Sequence, residues 1–168
     1  PFTAREVVML GRIPHDTGAH RDREIVSEAL AAVDATYFAE REYTYLSGGE
    51  RQRVHLARVL AQIWETAGAE ERYLILDEPT ASFDLAHQEL TLEIVRQLAA
   101  RGTGVLMVLH DLNLAARCAD HLLLLQCGGI AASGSAAEVL TRDTLKSVFQ
   151  VDAHIGTHPV AGTPLVII

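Results

Sequence analysis

Two short stretches of this chain carry residues whose types and spacing suit the handling of an anion. In Leu46-Ser47-Gly48-Gly49-Glu50, Ser47 and Glu50 have capping-box spacing. In that motif Ser47 caps the backbone of a new helix and Glu50 reaches back to the cap amide. The glycines leave the helix mouth bare, so a phosphate can approach the free N–H groups and the positive end of the helix dipole, with the Ser47 hydroxyl as a further donor. In Tyr73-Leu74-Ile75-Leu76-Asp77-Glu78-Pro79-Thr80, an apolar run of strand type ends in two carboxylates. Acids at the carboxyl end of a strand point to where open α/β sheets place ligands. A second apolar run, Val105-Leu106-Met107-Val108-Leu109, ends in His110. Taken singly, each feature has an ordinary reading as a helix start, an exposed acid pair or a structural histidine.

The elements that must position these residues can be read from periodicity. After Ser47, the apolar residues Val54, Ala57, Leu60, Ala61 and Trp64 share one helix face, with Gln52, Arg53 and Arg58 off it. Tyr37, Phe38, Tyr43 and Tyr45 read as packing that fixes this helix rather than as a base-stacking platform. Arg51, Arg53 and Arg58 read as a solvated or intradomain ion-paired face rather than a nucleic-acid patch. Upstream, Thr3 and Glu6 form another capping box that opens a short helix through Leu10, stopped by Gly11 as its C-cap and by the Pro14 turn. Ile25, Val26, Ala29, Leu30 and Val33 predict an amphipathic helix between Asp22 and Asp34. Residues 66–72 read as a surface loop. The runs at Tyr73 and Val105 read as strands buried on both faces of a parallel sheet. A helix from about Ala86, with Gly102 as C-cap, lies between them. Leu122–Gln126 and Ile130–Ser133 predict a hairpin turning at Gly128-Gly129, and Ser135 with Glu138 forms a third capping box. His154 and His158 have helical spacing, but Gly156 and Pro159 argue against a helix and so against a zinc pair.

Composition narrows the function classes. The 168 residues are 49% hydrophobic, which suits one globular domain with a real core. A formal charge of −8 argues against broad binding to nucleic acid or to an anionic membrane surface. Cys118 and Cys127 are too few for a disulfide framework, so a reducing compartment is expected. No apolar run approaches the roughly 18 residues of a membrane-spanning helix, and the N-terminus has no signal-peptide pattern. Any membrane association is therefore expected to go through a partner.

Taken in order, L-S-G-G-E-R-Q-R-V, L-D-E-P-T, Ala81-Ser82-Phe83-Asp84 and Val108-Leu109-His110-Asp111 resemble the signature, Walker B, D-loop and switch-histidine series of ATP-binding cassette (ABC) ATPases. Four motifs in the right order are highly specific. Gly11-Arg12-Ile13-Pro14-His15 is similar to the version in importers of iron chelates, cobalamin and haem. His87-Gln88 and the tail from Thr157 resemble the haem importers among them.

The resemblance implies an α/β fold: a three-layer P-loop NTPase core with a mainly parallel sheet, from which a helical subdomain projects. Residues 1–66 would be that subdomain with the signature helix, and residues 67–168 the C-terminal part of the core. It also implies roles. Ser47, Gly48, Gly49 and Glu50 bind ATP across a dimer of ATPase subunits, Asp77 supports Mg²⁺ through water, and Glu78 polarises the attacking water as general base. His110 hydrogen-bonds the γ-phosphate and holds Glu78 and the water in line. Asp84 stands at the dimer contact. The family more often has S-A-L-D at the D-loop, so only the role of the acid carries over. Implied partners are a second ATPase subunit, membrane permease subunits and, through them, a periplasmic or surface substrate-binding protein, with no nucleic acid. The implied place is the cytoplasmic face of a bacterial membrane.

These 168 residues contain no G-x-x-x-x-G-K-[ST] phosphate loop, and the chain starts at Pro1. The expectation is a fragment matching the later two-thirds of the family's domain, inactive alone and poorly soluble because missing strands leave apolar surface open. Two other readings compete with an importer subunit. One is a soluble ABC ATPase of DNA repair or translation, and the other is a non-catalytic truncated cassette.

Overall fold

Helices dominate the early part of the computed structural model, which describes residues 1–65, 71–81 and 83–168. Helix α1 (Ala4–Met9) starts at the expected capping box: Thr3 Oγ1 accepts from the Glu6 N–H at 3.2 Å, and Glu6 Oε2 accepts from the Thr3 N–H at 2.7 Å. Helix α2 (Ala19–Ala32) buries Ile25, Val26, Ala29 and Leu30. Helix α3 (Gly48–Gln62) buries Val54, Leu56, Ala57, Leu60 and Ala61. The three helices pack on one another around Phe38 and Leu46.

Gly11 has a different role from the expected helix stop. The chain continues from α1 through a 3₁₀ turn, Leu10–Arg12, and Gly11 is buried within it. A Cβ on Gly11 would run into the backbone carbonyl of Arg58. The glycine thus serves close approach of this turn to α3, not conformational freedom. The neighbouring residues satisfy carbonyls left open at the end of α3. Arg12 Nη1 donates to the Ala61 carbonyl at 2.7 Å, His15 Nε2 lies 2.7 Å from the Gln62 carbonyl, and Arg72 Nη1 donates to the Ile63 carbonyl at 3.0 Å. Arg12 is 3% exposed and also donates to Asp22 Oδ1 at 2.8 Å and to Thr17 Oγ1 at 2.9 Å.

Strands β1 (Arg72–Asp77) and β2 (Thr103–Val108) pair in parallel, joined by helix α4 (Leu85–Ala100). Leu74 lies opposite Val105 and Leu76 opposite Met107, and these join the core that holds the α3 side chains. Burial was expected on both faces of the sheet. Among the described residues it holds on one: Tyr73, Ile75, Leu106 and Val108, on the alternate face, are exposed. These residues, Pro1 to Val108, form one compact unit.

Residues Leu109–Ile168 form a second unit. It runs α5 (Leu112–Cys118), β3 (Leu122–Gln126), β4 (Gly129–Gly134), α6 (Ala136–Val139), α7 (Arg142–Phe149), β5 (His154–Thr157) and β6 (Pro164–Ile167). β3 and β4 form the expected antiparallel hairpin, but the turn residues are Cys127 and Gly128, both with positive φ (50° and 78°), and Gly129 opens β4. Two such residues in a two-residue loop match the twist of the flanking strands. Ala116, Leu124, Val139, Leu140, Leu145 and Val166 make the core of this unit. Asn113 bonds α5 to β6, its Oδ1 accepting from the Val166 N–H at 2.7 Å and its Nδ2 donating to the Val166 carbonyl at 3.0 Å. The domain boundary expected between residues 66 and 67, and most of the loop expected at 66–72, lie outside the described residues.

Candidate functional site

The N-terminus of α3 is built as its sequence demands. Ser47 is extended (φ −63°, ψ 165°) and its Oγ accepts from the Glu50 N–H at 3.3 Å, while Glu50 Oε2 accepts from the Ser47 N–H at 2.8 Å. Glu50 Oε1 also accepts from Arg41 Nη1 at 2.7 Å. The Ser47 N–H, helped by the Ser47 side chain and Arg41, holds the Glu50 carboxyl below its ordinary range, so it stands as an anion that closes one side of the cap. Ser47 and Gly48 are exposed, and a Cβ placed on Gly48 would meet nothing within 4 Å. Space therefore remains for a ligand at the first turn.

The aromatic residues before Ser47 brace this helix. Arg51 Nη2 donates to the Thr44 carbonyl at 2.6 Å and its guanidinium stacks over the Tyr43 ring, whose hydroxyl lies 2.7 Å from His55 Nε2. Arg53 is buried. It donates to the Asp34 carbonyl at 2.7 Å and to the Tyr37 hydroxyl at 2.9 Å, and lies over the Phe38 ring. The arginines of this helix thus include one absorbed into the fold.

Asp77 ends β1, exposed and in register with Val108. Glu78 follows with φ +46°, a left-handed conformation that non-glycine residues seldom adopt. Its N–H donates to the Val108 carbonyl at 3.1 Å, and its carbonyl accepts from the Ala81 N–H at 3.2 Å and from Gln52 Nε2 of α3 at 3.0 Å. Pro79 and Thr80 are buried beneath the turn.

Asp84, read from the sequence as a dimer-contact acid, is also the N-cap of α4. Its Oδ1 accepts from the His87 N–H at 2.9 Å and lies 2.8 Å from His87 Nδ1, and these two bonds hold its carboxyl below the ordinary range. His87 Nε2 lies 2.9 Å from Arg53 Nη1. One neutral tautomer satisfies both contacts, with Nδ1–H donating to Asp84 and Nε2 accepting from Arg53. Ser82 lies outside the described residues.

Ser47, Gly48, Gly49, Glu50, Asp77, Glu78 and Asp84 therefore belong to one compact unit, in which Gln52 and Arg53 of α3 reach the segment from Glu78 to His87. His110 belongs to the second unit, exposed and directly before Asp111, whose Oδ1 caps α5 by accepting from the N–H groups of Asn113 (2.8 Å) and Leu114 (3.0 Å). Sequence reasoning missed the tethers made by Gln52, by Arg53 with His87, and by Arg41. One signal was available: Asp84-x-x-His87 is the spacing of a cap with a ring donor at N3.

Comparison with known proteins agrees with this architecture. The family described as ABC transporter matches residues 2–81. The hemin import ATP-binding protein HmuV of Pseudomonas entomophila is 55% identical over 166 residues, covering 99% of this chain and 64% of that protein. The chain thus spans 64% of the length of that curated relative. Among solved structures, an ABC transporter described as of the metal-chelate type, in an inward-facing conformation, superposes with a TM-score of 0.79 at 27% identity, covering 99% of this chain and 66% of the other. A dimeric post-hydrolysis ATP-binding cassette bound to ADP and Pi gives 0.68 at 26% identity, covering 80% and 57%. The fold is the α/β fold of the ABC ATPase cassette, and the chain belongs to the ABC transporter family.

Proposed function

We propose that this chain is the signature- and acid-bearing part of the ATP-hydrolysing subunit of an importer for haem or an iron chelate. The observation that carries the reading is the joining of an open, Ser47-capped helix mouth to the Asp77-Glu78 strand end within one compact unit. In the proposed cycle two subunits sandwich ATP. The α3 mouth of one, with Ser47, Gly48, Gly49 and Glu50, faces the γ-phosphate of the nucleotide held by the other. Glu78 takes a proton from water as the water oxygen bonds to the γ-phosphorus and the bond to the ADP oxygen breaks, giving ADP and phosphate. His110 hydrogen-bonds the γ-phosphate, and Asp84 stands at the contact between subunits.

Asp77 suits Mg²⁺: it offers a hard oxygen donor, exposed at a strand end, and this ion keeps several waters and takes one or two carboxylates beside phosphate oxygens. When bound, the ion supplies charge neutralisation at the phosphates. ATP binds the closed dimer and hydrolysis releases it, so the nucleotide drives a permease between its two openings. The name of the Pseudomonas relative supports haem as cargo, delivered to the permease by a substrate-binding protein. No helix among the described residues is long and apolar enough to cross a membrane, which fits peripheral attachment to the cytoplasmic face through that permease.

The test uses the complete gene product, expressed with its permease. Intact mass and N-terminal sequence come first, since a phosphate loop upstream of Pro1 is required. The expected result is ATP turnover that Glu78→Gln lowers by about 10²-fold or more while trapping an ATP-bound dimer. A native polypeptide no longer than these 168 residues, or turnover that survives Glu78→Gln, would overturn the catalytic reading. Failure to co-purify with a membrane permease would favour a soluble ABC ATPase.

A further inference from the structure

We infer that Gln52 is a positioning residue for Glu78: its side-chain amide fixes the left-handed turn that carries the acid, tying that turn to the signature helix. The inference rests on the ATPase reading above and concerns how the acid is held. Glu78 has φ +46° without being glycine, a conformation that persists only where the surroundings impose it. One of its backbone bonds goes to the Val108 carbonyl of the paired strand and one comes from the Ala81 N–H of the same turn. The third comes from a different element, Gln52 Nε2 on α3, at 3.0 Å and partly buried. Water cannot replace a partly buried donor without rearrangement, so losing it leaves the Glu78 carbonyl under-satisfied and the strained turn free to relax.

A second link runs parallel to the first. Arg53, the next residue on α3, contacts His87, which holds Asp84 at the start of α4. The segment from Glu78 to His87 is thus held by α3 near both ends. In the proposed dimer, the mouth of α3 serves the partner's nucleotide while Glu78 acts on its own. Gln52 joins those two duties within one chain, and displacement of α3 on closure would reach the turn that carries the acid through its side-chain amide.

The experiment uses the complete gene product with Gln52→Met, which keeps the length of the side chain and removes the donor, and Gln52→Glu, which sets an acceptor against the carbonyl. Steady-state turnover gives kcat and KM for ATP. ATP-driven dimerisation, measured by size exclusion in a Glu78→Gln background, reports whether α3 still presents an intact mouth. Expected are a kcat about tenfold lower for Gln52→Met and lower again for Gln52→Glu, with KM and the ATP midpoint for dimerisation within about twofold of the parent. A kcat within twofold of the parent for Gln52→Met overturns the inference. So does a parallel loss of dimerisation, which would make Gln52 a support for α3 alone. If the unaltered protein neither turns over ATP nor dimerises, the ATPase reading itself fails and takes this inference with it.

Discussion

The helices of residues 1–65 and the two-stranded sheet that follows share one compact unit, yet they close their apolar surfaces differently. In the helices Val8, Ile25, Phe38, Val54 and Leu60 are all at most 1% exposed, and the polar ends of α3 are met at one end by Glu50 and at the other by Arg12, His15 and Arg72. In the sheet, Leu74 is 1% exposed while its neighbour Ile75 is 72% exposed. The cause is geometric. A helix with one apolar stripe needs one layer of cover, and three mutually packed helices provide it. A strand that is apolar on both faces needs two layers, and the described residues supply one. The signature helix is therefore finished by its own neighbourhood, whereas, among the described residues, the strand that ends at Asp77 is covered on the α3 side alone.

The sharpest way to break this contrast is at Arg12, which ties the turn after α1 to the end of α3. Arg12→Ala removes a buried guanidinium and leaves Asp22, Thr17 and the Ala61 carbonyl short of a partner. The expected loss is about 4 kcal/mol of stability in urea unfolding, the scale of breaking a buried ion pair from one side. A loss under 1 kcal/mol would mean that the helices do not depend on their end contacts. Next in size is a paired test in the sheet. Leu74→Ala should cost about 3 kcal/mol as a core truncation, and Ile75→Ala on the open face less than about 0.5. Equal costs would show that the outer face is covered in solution, for instance by self-association. Light scattering of the 168-residue chain checks this, and a cooperative, monomeric unfolding transition would contradict the expectation of poor solubility.

Gly11 measures how tightly the helices are closed. Gly11→Ala places a methyl group against the Arg58 backbone, which cannot swing aside as a side chain could. An overpacking cost of about 2 kcal/mol is expected in the same unfolding assay, where a helix interior would ordinarily gain from the change. A stabilised Gly11→Ala variant would mean that the Arg58 backbone does not press on this turn in solution.

How much of this was legible depended on range. The capping boxes at Thr3, Ser47 and Ser135, the helices and the two apolar strands rest on residues a few positions apart, and the sequence states such relations directly. Gly11 misled because a glycine after a helix has two uses, and choosing between them requires knowing that Arg58 lies against it. Asp84 was read for a partner subunit although its spacing to His87 already spelled a helix cap. The Gln52 tether spans 26 positions in sequence and the left-handed turn falls on a glutamate, so no local pattern announces either. The strand pattern, apolar from Tyr73 to Leu76, predicted burial on both sides, because a run of apolar residues does not say which layers cover a sheet face.

A small effect is expected at Ser47 and Glu50, at the exposed start of α3. Glu50 accepts from the Ser47 N–H and pairs with Arg41, and these contacts lower its carboxyl pKa in the folded protein. A carboxyl depressed on folding adds stability that is complete above the ordinary glutamate range and is lost as pH falls through its lowered folded value. Gln at this position can still accept from the Ser47 amide, so Glu50→Gln keeps the capping box and removes only the charge. The difference expected at pH 7 is about 0.5 kcal/mol in favour of the parent, from the helix dipole and a half-exposed ion pair. It should shrink as pH falls below the ordinary glutamate range, where the unfolded chain takes up a proton that the folded carboxyl resists. Urea midpoints of the two proteins at pH 7 and pH 3 decide the matter. A difference that persists unchanged at pH 3 would mean that shape rather than charge holds the mouth of α3.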